Sequence, residues 1–595
     1  MFVVATAGHV DHGKTTLVAA LTGMQPDRWA EERRRGLTID LGFAWTTMSS
    51  GRRVAFVDVP GHERFLGNTL AGLGPAPVVC FVVAADQGWQ EQSGEHRDAV
   101  AALGISHGLI VLTRTDRASA ERIDEVLVAA RAELAPTGLR DAPAVAVSAV
   151  DGTGLAELRS TLDDVLADLP APTTTGRVRL WVDRSFTITG AGTVVTGTLT
   201  AGTLRRGERL QLCGHAGSTA VVVRGLQSCD EPHSAVSPVA RVAVNLRGIG
   251  ADEVRRGDAL LTPDSWLGTR IVDVRRTGGA PYTELPEQLT VHVGTAAVPG
   301  RLRSFDVDHA RLALNQPLPL TLSDRLILRH PGGRRMLCGA EVLDADPPPL
   351  RRRGDAARRA GVLTGLGPAG DLLVEVARRG AVTVNRLRML GYPCALPPAG
   401  VRVIGEKWVS ASAYDSWQQR LTAALGELHD RDPLAAGLSR GAACDLLDLP
   451  DEALLDSLIR DAGLECDAGR IRLPGSRNDL GRAAAAVTEL EARLAADPFH
   501  APEADELAVL HLGVRELAAA ERAGRLLRLT DTVVVLPSAP ALAMRELARL
   551  DQPFTASQAR QALGTTRRVA IPLLEHLDAG GWTRRIDASY REVAR

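Results

Sequence analysis

The feature that most constrains the fold is a glycine-bounded loop near the N-terminus, Gly8-His9-Val10-Asp11-His12-Gly13-Lys14-Thr15. A short apolar run, residues 2–5, precedes this loop, and a helical pattern follows it. A strand, a glycine-rich loop and a helix in this order form a phosphate-binding P-loop, in which backbone amides and the helix dipole attract phosphate oxygens. We therefore expect an α/β P-loop domain in which these eight residues and Thr16 surround the phosphates of a nucleotide.

Two side chains of this loop carry distinct expected roles. Of the 69 Lys and Arg residues in the chain, only Lys14 and Lys407 are lysine. A chain that uses arginine almost everywhere else indicates that position 14 needs a compact ammonium group, which we expect to span the β- and γ-phosphates. Thr15 is expected to give its hydroxyl to Mg²⁺. A metal site built on the His9-x-x-His12 pair is the competing interpretation, and the glycine-bounded loop disfavours it.

Two later segments supply the groups that a P-loop needs around the γ-phosphate. Asp58-Val59-Pro60-Gly61-His62 follows an apolar strand pattern, residues 54–57. Asp58 is expected to hold the Mg²⁺ shell through water, and Gly61 to present its amide to the γ-phosphate. Thr38 lies between the two motifs and is expected to reach Mg²⁺ from a segment that the γ-phosphate orders.

The identity of the base is predicted from Thr113-Arg114-Thr115-Asp116, which follows the apolar run 109–112. Asp116 can accept the N1 and N2 hydrogens of guanine, which adenine does not offer. Ser148 and Ala149, after Val147, are expected to supply a backbone amide near guanine O6. These residues favour GTP over ATP.

The rest of the 595-residue chain is too long for a single core, so several domains are expected. Apolar runs at 2–5, 54–57, 78–84, 109–112 and 144–147 alternate with helical stretches and predict a mostly parallel sheet. A linker at 169–176 is followed by period-two strands that fit two antiparallel β-barrels. Beyond the Pro-rich and Arg-rich segment 346–354, helices dominate.

The C-terminal part repeats loosely, and each repeat ends in a glycine-led strand pair. An amphipathic helix followed by such a pair is typical of a winged helix; an irregular helical array is the alternative. The fold class is therefore a multidomain chain with these expected limits: a P-loop GTPase domain at 1–170, β-barrels at 176–265 and 268–346, and winged helices at 350–412, 413–474, 475–537 and 538–595.

The motifs of the first domain resemble those of the translational GTPases of the EF-Tu-like family, whose P-loop reads GHVDHGKT and whose second switch reads DxPGH. The resemblance covers about the first 345 residues and implies GTP hydrolysis stimulated on the ribosome. It also implies that His62 positions the attacking water. One departure is the base motif, which usually begins Asn-Lys; Thr113 and Arg114 stand there, so we expect weaker local bracing and a heavier dependence on Asp116.

The barrel segment 181–198, combined with the winged helices, is similar to the selenocysteine-specific elongation factors of the SelB type. That resemblance implies delivery of selenocysteinyl-tRNA to a recoded UGA codon and recognition of an mRNA hairpin (SECIS) by the last domain. Asp183, Arg184 and Arg241 match positions that line the family's aminoacyl pocket, where arginines would select an anionic selenolate. A structural salt bridge between barrel residues is the alternative.

In the last domain, Gly564-Thr565-Thr566-Arg567-Arg568 resembles the start of the family's RNA-contacting helix, which implies that Arg567 and Arg568 bind RNA. Nine arginines stand against six acidic residues from position 538 to the C-terminus, whereas the whole chain has a formal net charge of -2. Arginines at a helix start suit phosphate contacts with a hairpin. A solvated helix face is the plainer alternative.

Other patterns limit the remaining options. The seven cysteines include no Cys-x-x-Cys pair and are expected to be reduced thiols in a cytoplasmic protein. Cys213, His215, Cys229 and His233 lack the spacing of a compact zinc site. No membrane association is expected, and the chain is expected to be monomeric. A GTP-gated DNA-binding regulator and a general aminoacyl-tRNA carrier are the alternative functions.

Overall fold

The computed structural model of the protein describes residues 1–26, 38–190, 192–333, 335–432, 434–475 and 480–594. These residues form two compact units: Met1–Leu372 with Thr383–Leu396, and Leu373–Val382 with Pro397–Arg595. The first unit contains the P-loop domain and both barrels.

The P-loop domain is a six-stranded sheet with covering helices. The strand order is β2-β3-β1-β4-β5-β6, and only β2 runs antiparallel to its neighbour. Every residue of β4 is buried, which explains why this strand reads as an unbroken apolar run. The elements are β1 Phe2–Ala7, α1 Lys14–Thr22, β2 Gly42–Thr47, β3 Arg53–Asp58, α2 Leu66–Leu73, β4 Val78–Ala84, α3 Glu91–Leu103, β5 His107–Thr113, α4 Ala120–Leu134, β6 Ala144–Ala146 and α5 Leu155–Ala167.

The predicted parallel strands are confirmed, and β2 is an addition that the sequence did not predict. It pairs with β3 from Gly42 opposite Asp58 to Thr47 opposite Arg53. Only three of its six residues are apolar, so it lacks the continuous run that marks its neighbours. The pairing brings the residues just after position 38 to the edge of the sheet, beside the phosphate loop.

The first barrel closes because β10 pairs with both β11 and β15. Alternate residues of its strands point inward and form one apolar core, which includes Leu180, Val195, Leu212, Val223 and Val244. Its strands are β7 Arg179–Ile188, β8 Gly192–Leu199, β10 Arg209–Gly214, β11 Gly217–Ser228, β12 Glu231–His233, β14 Ala240–Arg247 and β15 Ala259–Leu261, and a separate two-stranded sheet is formed by β9 Leu204–Arg205 and β13 Ala235–Val236.

The second barrel is closed in the order β16-β19-β18-β17-β20-β21. Its strands are β16 Gly268–Gly279, β17 Gln288–Val293, β18 Ala296–Ser304, β19 His309–Pro319, β20 Arg325–Arg329 and β21 Met336–Asp344. Helix α6, Asp355–Thr364, follows it, and its buried Arg359 donates to the carboxylates of Asp273 and Asp344 at 2.6 and 2.5 Å. The first helix after the barrels therefore packs within the first unit, and the unit boundary divides the segment 350–412.

Small three-stranded sheets recur along the C-terminal part, in the orders β22-β24-β23, β25-β27-β26 and β30-β32-β31, together with the pair β28-β29. The elements are α7 Leu372–Arg379, β22 Ala381–Thr383, α8 Val384–Leu390, β23 Val401–Ile404, β24 Lys407–Ser410, α9 Ala411–Arg431, β25 Leu438–Ser439, α10 Arg440–Leu447, α11 Leu454–Asp461, β26 Glu465–Asp467, β27 Arg470–Arg472, α12 Ala484–Ala496, α13 Ala504–Val509, α14 Val514–Arg522, β28 Leu527–Arg528, β29 Val534–Val535, α15 Ala539–Leu547, β30 Phe554–Thr555, α16 Ala556–Ala562, α17 Arg567–Ala579, β31 Thr583–Arg585 and β32 Tyr590–Val593.

The last repeat shows the winged-helix order in full: a helix, a short strand, two helices and a β-hairpin wing. Its core is formed by Leu547, Phe554, Leu573, Leu574 and Leu577. The amphipathic pattern of α17 explains this core, since apolar residues three and four apart face inward. The expected multidomain class, with an α/β P-loop domain, two β-barrels and winged helices, is confirmed.

Candidate nucleotide site and adjoining barrel cavity

The phosphate loop lies between β1 and α1, as the sequence predicts. Gly8 has a φ of 129°, and a Cβ at this position would lie 2.1 Å from the carbonyl oxygen of Val82. No L side chain fits there, because both the backbone conformation and the neighbouring strand exclude it. The loop backbone therefore lies directly against the centre of the sheet.

Lys14 is buried inside the loop, with a relative exposure of 6%. Its Nζ donates to the carbonyl oxygens of Gly8 and His9 at 3.0 and 2.7 Å. Burial lowers the pKa of this amine to about 8, and the charges of Asp58 and Asp11 oppose that shift. The ammonium group is held over the loop by two carbonyl oxygens, which leaves little room for a larger cation.

Three oxygen-bearing side chains converge beside the start of α1. The hydroxyl of Thr15 lies 2.9 Å from the hydroxyl of Thr38 and donates to Asp58 at 2.6 Å. Asp58 is fully buried and also accepts from Thr6 at 2.8 Å. Hydroxyl and carboxylate oxygens are the ligands that Mg²⁺ prefers, so this set of residues fits that ion.

A cavity of about 180 Å³ opens at this point. It is lined by Val10, Asp11, Gly13, Lys14, Thr15, Thr16, Thr38, Gly61 and Arg114. A Cβ on Gly61 would come within 2.5 Å of the Lys14 Nζ, so only glycine lets this segment approach the loop so closely. The structure thus brings most of the predicted phosphate-site residues around one space.

His62 is half-buried and is not among the residues that line this cavity. It caps a short helical turn, Glu63–Phe65, where its Nδ1 accepts from the amide of Arg64 at 3.2 Å. The Nε2 atom is not used in that contact. Burial lowers the pKa of the nearby His9, and the charge of Lys14 adds to this shift while that of Asp11 opposes it.

Two side chains of α3 brace the loop, and the sequence analysis missed both. The amide of Gly8 donates to His96 Nδ1 at 3.0 Å, and the amide of Val10 donates to Gln92 Oε1 at 3.2 Å. Burial lowers the pKa of His96 to about 3, helped by Lys14 and His9, so the ring is neutral and Nδ1 can accept. In the sequence, the two residues show only the spacing of neighbours on one helix face, four positions apart, which does not mark a contact with the loop.

The base motif is tied to the same loop. The buried hydroxyl of Thr113 donates to the carbonyl oxygen of His12 at 2.6 Å. Arg114 donates to the carbonyl oxygen of Asp11 and lies 3.5 Å from the carboxylate of Asp86. Thr113 thus reaches the phosphate loop from the position where the family usually has asparagine; how strongly it braces the base motif stays a prediction.

The remaining base-site residues lie at the ends of β5 and β6. The side chain of Asp116 is one quarter exposed, and Arg117 is its neighbour at 3.7 Å. Ser148 is buried, and its amide donates to the carbonyl oxygen of Thr153 at 3.0 Å. The amide of Ser148 is thus committed within the chain, and Ala149 is the next residue along.

A second cavity, of about 230 Å³, lies where β2 and β3 meet the first barrel. Arg184 and Arg241 line it together with Phe43. The guanidinium carbon of Arg241 lies 3.7 Å from the centre of the Phe43 ring, and that of Arg184 lies 4.9 Å from it. Two cations therefore contact one aromatic ring.

Asp183 lies behind this cavity rather than in its wall. Its carboxylate accepts two hydrogen bonds from the Arg241 guanidinium, one of them at 2.7 Å, and one from the Thr196 hydroxyl at 2.6 Å. The side chain of Asp183 is 4% exposed and that of Arg241 is 14% exposed. The structure thus brings the three predicted pocket residues together and gives Asp183 the task of orienting Arg241.

The two adjacent arginines of α17 have different surroundings. Arg568 donates to the carbonyl oxygens of Ala501 and Pro502 at 2.7 and 2.8 Å and to that of Thr532 at 3.3 Å. Arg567 is exposed, and among the described residues no hydrogen bond or ion pair engages its guanidinium. Arg568 therefore joins the last repeat to the preceding one, whereas Arg567 faces solvent.

The competing metal interpretations have no matching geometry. Within the described ranges, no three His, Cys, Asp or Glu side chains are grouped so that they could hold a metal ion. His215 instead contacts Asp258 at 3.1 Å, and Cys213 contacts Ser218. None of the described helices has the length and apolar character needed to cross a membrane.

Comparisons with protein families match four parts of the chain. Residues 1–168 match the Elongation factor Tu GTP binding domain, and residues 192–261 match Elongation factor Tu domain 2. Residues 280–349 match the beta-barrel domain of the selenocysteine-specific elongation factor, and residues 545–589 match the winged helix of elongation factor SelB. The first domain is accordingly a GTP-binding domain, and the chain is a translational GTPase.

Two curated relatives extend over most of the chain. The selenocysteine-specific elongation factor of Desulfomicrobium baculatum is 33% identical over 80% of this chain and 79% of its own length. That of Escherichia coli is 32% identical over 98% of this chain and 97% of its own length.

Solved structures show the same architecture. The crystal structure of a bacterial selenocysteine-specific elongation factor, EF-Sec, matches with a TM-score of 0.75 and 25% identity and covers 100% of both chains. SelB of Methanococcus maripaludis, in complex with the GTP analogue GppNHp, matches with a TM-score of 0.51 and 23% identity over 58% of this chain and 79% of its own. With a GTP-binding loop, two barrels, winged helices and these relatives, the chain belongs to the family of selenocysteine-specific elongation factors.

Proposed function

We propose that this protein uses GTP to carry selenocysteinyl-tRNA to the ribosome, where its last domains hold an mRNA hairpin (SECIS) beside a recoded UGA codon. The observation that carries the proposal is the placement of two cavities within one compact unit. One lies at a GTP-type phosphate loop, and the other is walled by two arginines at the adjoining barrel. The family membership supports the same function.

Each group around the phosphate loop has a proposed role in binding GTP. The loop from Gly8 to Thr15, followed by Thr16, surrounds the α- and β-phosphates. Because the amides of Gly8 and Val10 already donate to His96 and Gln92, the amides further along the loop are the ones that face the phosphates. Lys14 spans the β- and γ-phosphates from its position over the loop, and the amide of Gly61 contacts the γ-phosphate. We assign the carbonyl contacts of Lys14 to preorganisation, because they hold the ammonium group in place before the nucleotide arrives.

Mg²⁺ would be held by Thr15 and Thr38 directly and by Asp58 through water. When bound, the ion neutralises charge on the β- and γ-phosphates. Thr38 would then be in place only while the γ-phosphate is present, and this makes it the residue that separates the GTP and GDP states.

Hydrolysis is assigned to His62. Its Nδ1 is occupied by the amide of Arg64, so Nε2 is the atom free to orient the attacking water. Since His62 does not line the phosphate cavity, it must turn toward the γ-phosphate, and ribosome docking would supply that change.

Guanine specificity is assigned to the ends of β5 and β6. Asp116 accepts from guanine N1 and N2, and Arg114 covers the base with its planar group. Because the Ser148 amide is already committed to Thr153, the amide of Ala149 is the donor for guanine O6.

The arginine-lined cavity is the proposed selenocysteine site. A selenol is more acidic than a thiol, so the aminoacyl group arrives as an anion, and two guanidinium groups favour it over neutral serine. Asp183 fixes the plane of Arg241, and the Phe43 ring contacts both cations. The cavity thus offers positive charge that is already oriented.

RNA recognition is assigned to the winged helices, with Arg567 as the phosphate contact. Because both terminal nitrogens of the Arg568 guanidinium donate to backbone carbonyl oxygens and its Nε lies 3.4 Å from the Glu503 carboxylate, we assign Arg568 to holding the last two repeats together. We also propose that the winged helices have the limits expected from the sequence. The protein is proposed to be a monomer that acts in the cytoplasm, beside the ribosome.

The test is protection of the aminoacyl ester against hydrolysis, with selenocysteinyl and seryl groups on the same tRNA body. We expect strong protection of selenocysteinyl-tRNA with a GTP analogue, weak protection with GDP, and weak protection of seryl-tRNA in both states. Equal protection of the two esters would contradict the assigned specificity. A preference for duplex DNA over an RNA hairpin in a filter-binding assay would contradict the assigned role of the winged helices.

A further inference from the structure

Six consecutive residues connect the two cavities. The segment begins at Thr38, whose hydroxyl contacts Thr15 at the phosphate site. It ends at Phe43, which lines the barrel cavity and supports Arg184 and Arg241. We call residues 38–43 the connecting segment. Its two ends lie in the two sites that a carrier of this kind must coordinate.

The middle of the connecting segment is fastened to the first barrel through Asp40. Its carboxylate accepts from Arg184 Nη2 at 3.0 Å and lies 3.6 Å from Arg256 Nη1. Arg184 also donates to the carbonyl oxygen of Leu41. The side chains of Asp40 and Arg184 are only 27% and 20% exposed, so solvent screens this ion pair less than a surface pair.

A further contact ties in the helix that follows His62. Asn68, on α2, donates to the carbonyl oxygen of Ile39 at 2.8 Å and accepts from Arg256 Nη1 at 2.7 Å. Arg256, Asn68 and the connecting segment therefore form a closed set of contacts. Both segments that surround the γ-phosphate position meet the barrel through this set.

We propose that Asp40 is a positioning residue that couples the nucleotide state to the aminoacyl cavity. The inference rests on the proposed function and adds a mechanism for its regulation. When Thr38 is held at the phosphate site, Asp40 and the Leu41 carbonyl hold Arg184, and Phe43 stays in contact with both arginines. When Thr38 is released, Asp40 loses its fixed place, and Arg184 loses the acceptors that orient it.

The coupling must act in both directions. If the nucleotide state changes the affinity for aminoacyl-tRNA by some factor, bound aminoacyl-tRNA changes the ratio of GTP to GDP affinity by the same factor. An anion in the cavity would therefore strengthen the hold of the protein on GTP. Removal of the Asp40 carboxylate should weaken this mutual effect without removing any group from either cavity wall.

The chain offers a matched control for this inference. Arg53, on β3, pairs with Glu231, on β12, at 2.5 Å, so this ion pair also joins the P-loop domain to the first barrel. Neither residue belongs to the connecting segment or lines the phosphate cavity. The control pair is more exposed, with Arg53 and Glu231 at 43% and 54%, but an effect due only to a lost ion pair between these domains would appear in Glu231→Gln as well as in Asp40→Asn.

The experiment measures the dissociation constant of selenocysteinyl-tRNA in the presence of a GTP analogue and of GDP, for the wild type, Asp40→Asn and Glu231→Gln. We expect the GDP-to-GTP ratio of dissociation constants to fall about tenfold in Asp40→Asn, within the usual range of coupling between sites. The loss should come from the GTP state. Glu231→Gln should keep the wild-type ratio, and equal ratios in all three proteins would overturn the inference.

A second readout separates positioning from damage to the nucleotide site. The affinity of Asp40→Asn for a fluorescent GTP analogue without tRNA should stay at the wild-type value, because Asp40 does not line the phosphate cavity. A parallel loss of nucleotide affinity would overturn the inference. Asn68→Ala should also lower the GDP-to-GTP ratio of dissociation constants for selenocysteinyl-tRNA, because it removes the contacts to Ile39 and Arg256.

The wild type distinguishes failure of the inference from failure of the proposed function. If the wild type binds selenocysteinyl-tRNA equally in both nucleotide states, the proposed function itself fails. If the wild type has a large GDP-to-GTP ratio of dissociation constants for selenocysteinyl-tRNA and Asp40→Asn has the same ratio, only the coupling role of Asp40 fails.

Discussion

The phosphate loop and the start of α17 both place consecutive polar residues at the beginning of a helix, and yet the chain treats them differently. Around the loop, side chains from distant segments fasten the backbone, as Thr113 and His96 do. At α17, one arginine is fastened to backbone carbonyls and its neighbour is exposed. The phosphate loop acts through its backbone, and its own sequence is enough to predict its function. The function of an arginine side chain at α17 depends instead on which residues of other segments pack against it.

The largest expected effect is that of Lys14→Arg. The wider guanidinium cannot occupy the space between the loop carbonyls and Gly61, so we expect GTP affinity to fall by about 100-fold or more, the equivalent of a lost hydrogen bond to a charged group. A fluorescent GTP analogue measures the change. Lys407→Arg is the control, because this second lysine pairs with Asp451 in the other unit. Wild-type affinity in Lys14→Arg would show that the space around the Lys14 ammonium group does accept a larger cation.

Arg568→Ala tests the fastened arginine of α17. Loss of its contacts to Ala501, Pro502 and Thr532 should lower the local unfolding free energy of the last two repeats by about 2 kcal/mol. Hydrogen exchange of residues 499–502 and 530–535 measures this change. Arg567→Ala should leave exchange in these segments unaltered. Equal exchange in both variants would mean that the two arginines do not differ.

Thr113→Val tests whether a single hydroxyl fastens the loop. Without it, the buried carbonyl oxygen of His12 has lost its donor, and we expect GTP affinity to fall about tenfold, or 1.4 kcal/mol. Thr113→Ser keeps the hydroxyl and should behave as the wild type. The dissociation rate of a fluorescent nucleotide separates the two variants, and identical rates would show that the loop does not need this contact.

Arg567→Ala should have the smallest effect. Removal of one phosphate contact should weaken binding of an RNA hairpin about fivefold and reduce the slope of log affinity against log salt by about 1. Titrations at several salt concentrations measure both quantities. Arg567→Lys keeps the charge and should retain most of the affinity. A larger loss in Arg568→Ala than in Arg567→Ala, with unchanged exchange, would reverse the two assignments.

The regular parts of the fold could be predicted because their sequence pattern is local. The buried run 78–84 coincides with β4, and the loop at Gly8 is where the glycine pattern places it. Strand β2 escaped prediction because it is half-exposed and short of apolar residues. The barrel strands could also be predicted, because the alternation of apolar and polar residues along each strand is a local pattern.

The contacts between distant segments could not be predicted, because nothing local marks them. Asp40 and Arg256 are ordinary charged residues in the sequence, and only the fold shows that they meet near Arg184. Gln92 and His96 have helical spacing but carry no sign that they brace a loop. Arg568 looked equivalent to Arg567 until the preceding repeat was placed beside it.

The scarcity of lysine gives the protein a built-in chemical reporter. Besides the N-terminus, an amine-directed reagent finds only two primary amines, one in each compact unit. Lys14 lies beneath the nucleotide site, and Lys407 lies beside Asp451 in the winged-helix part. Acylation of Lys14 relative to Lys407, read by mass spectrometry, would therefore measure nucleotide occupancy in a single sample, with the second lysine as internal standard.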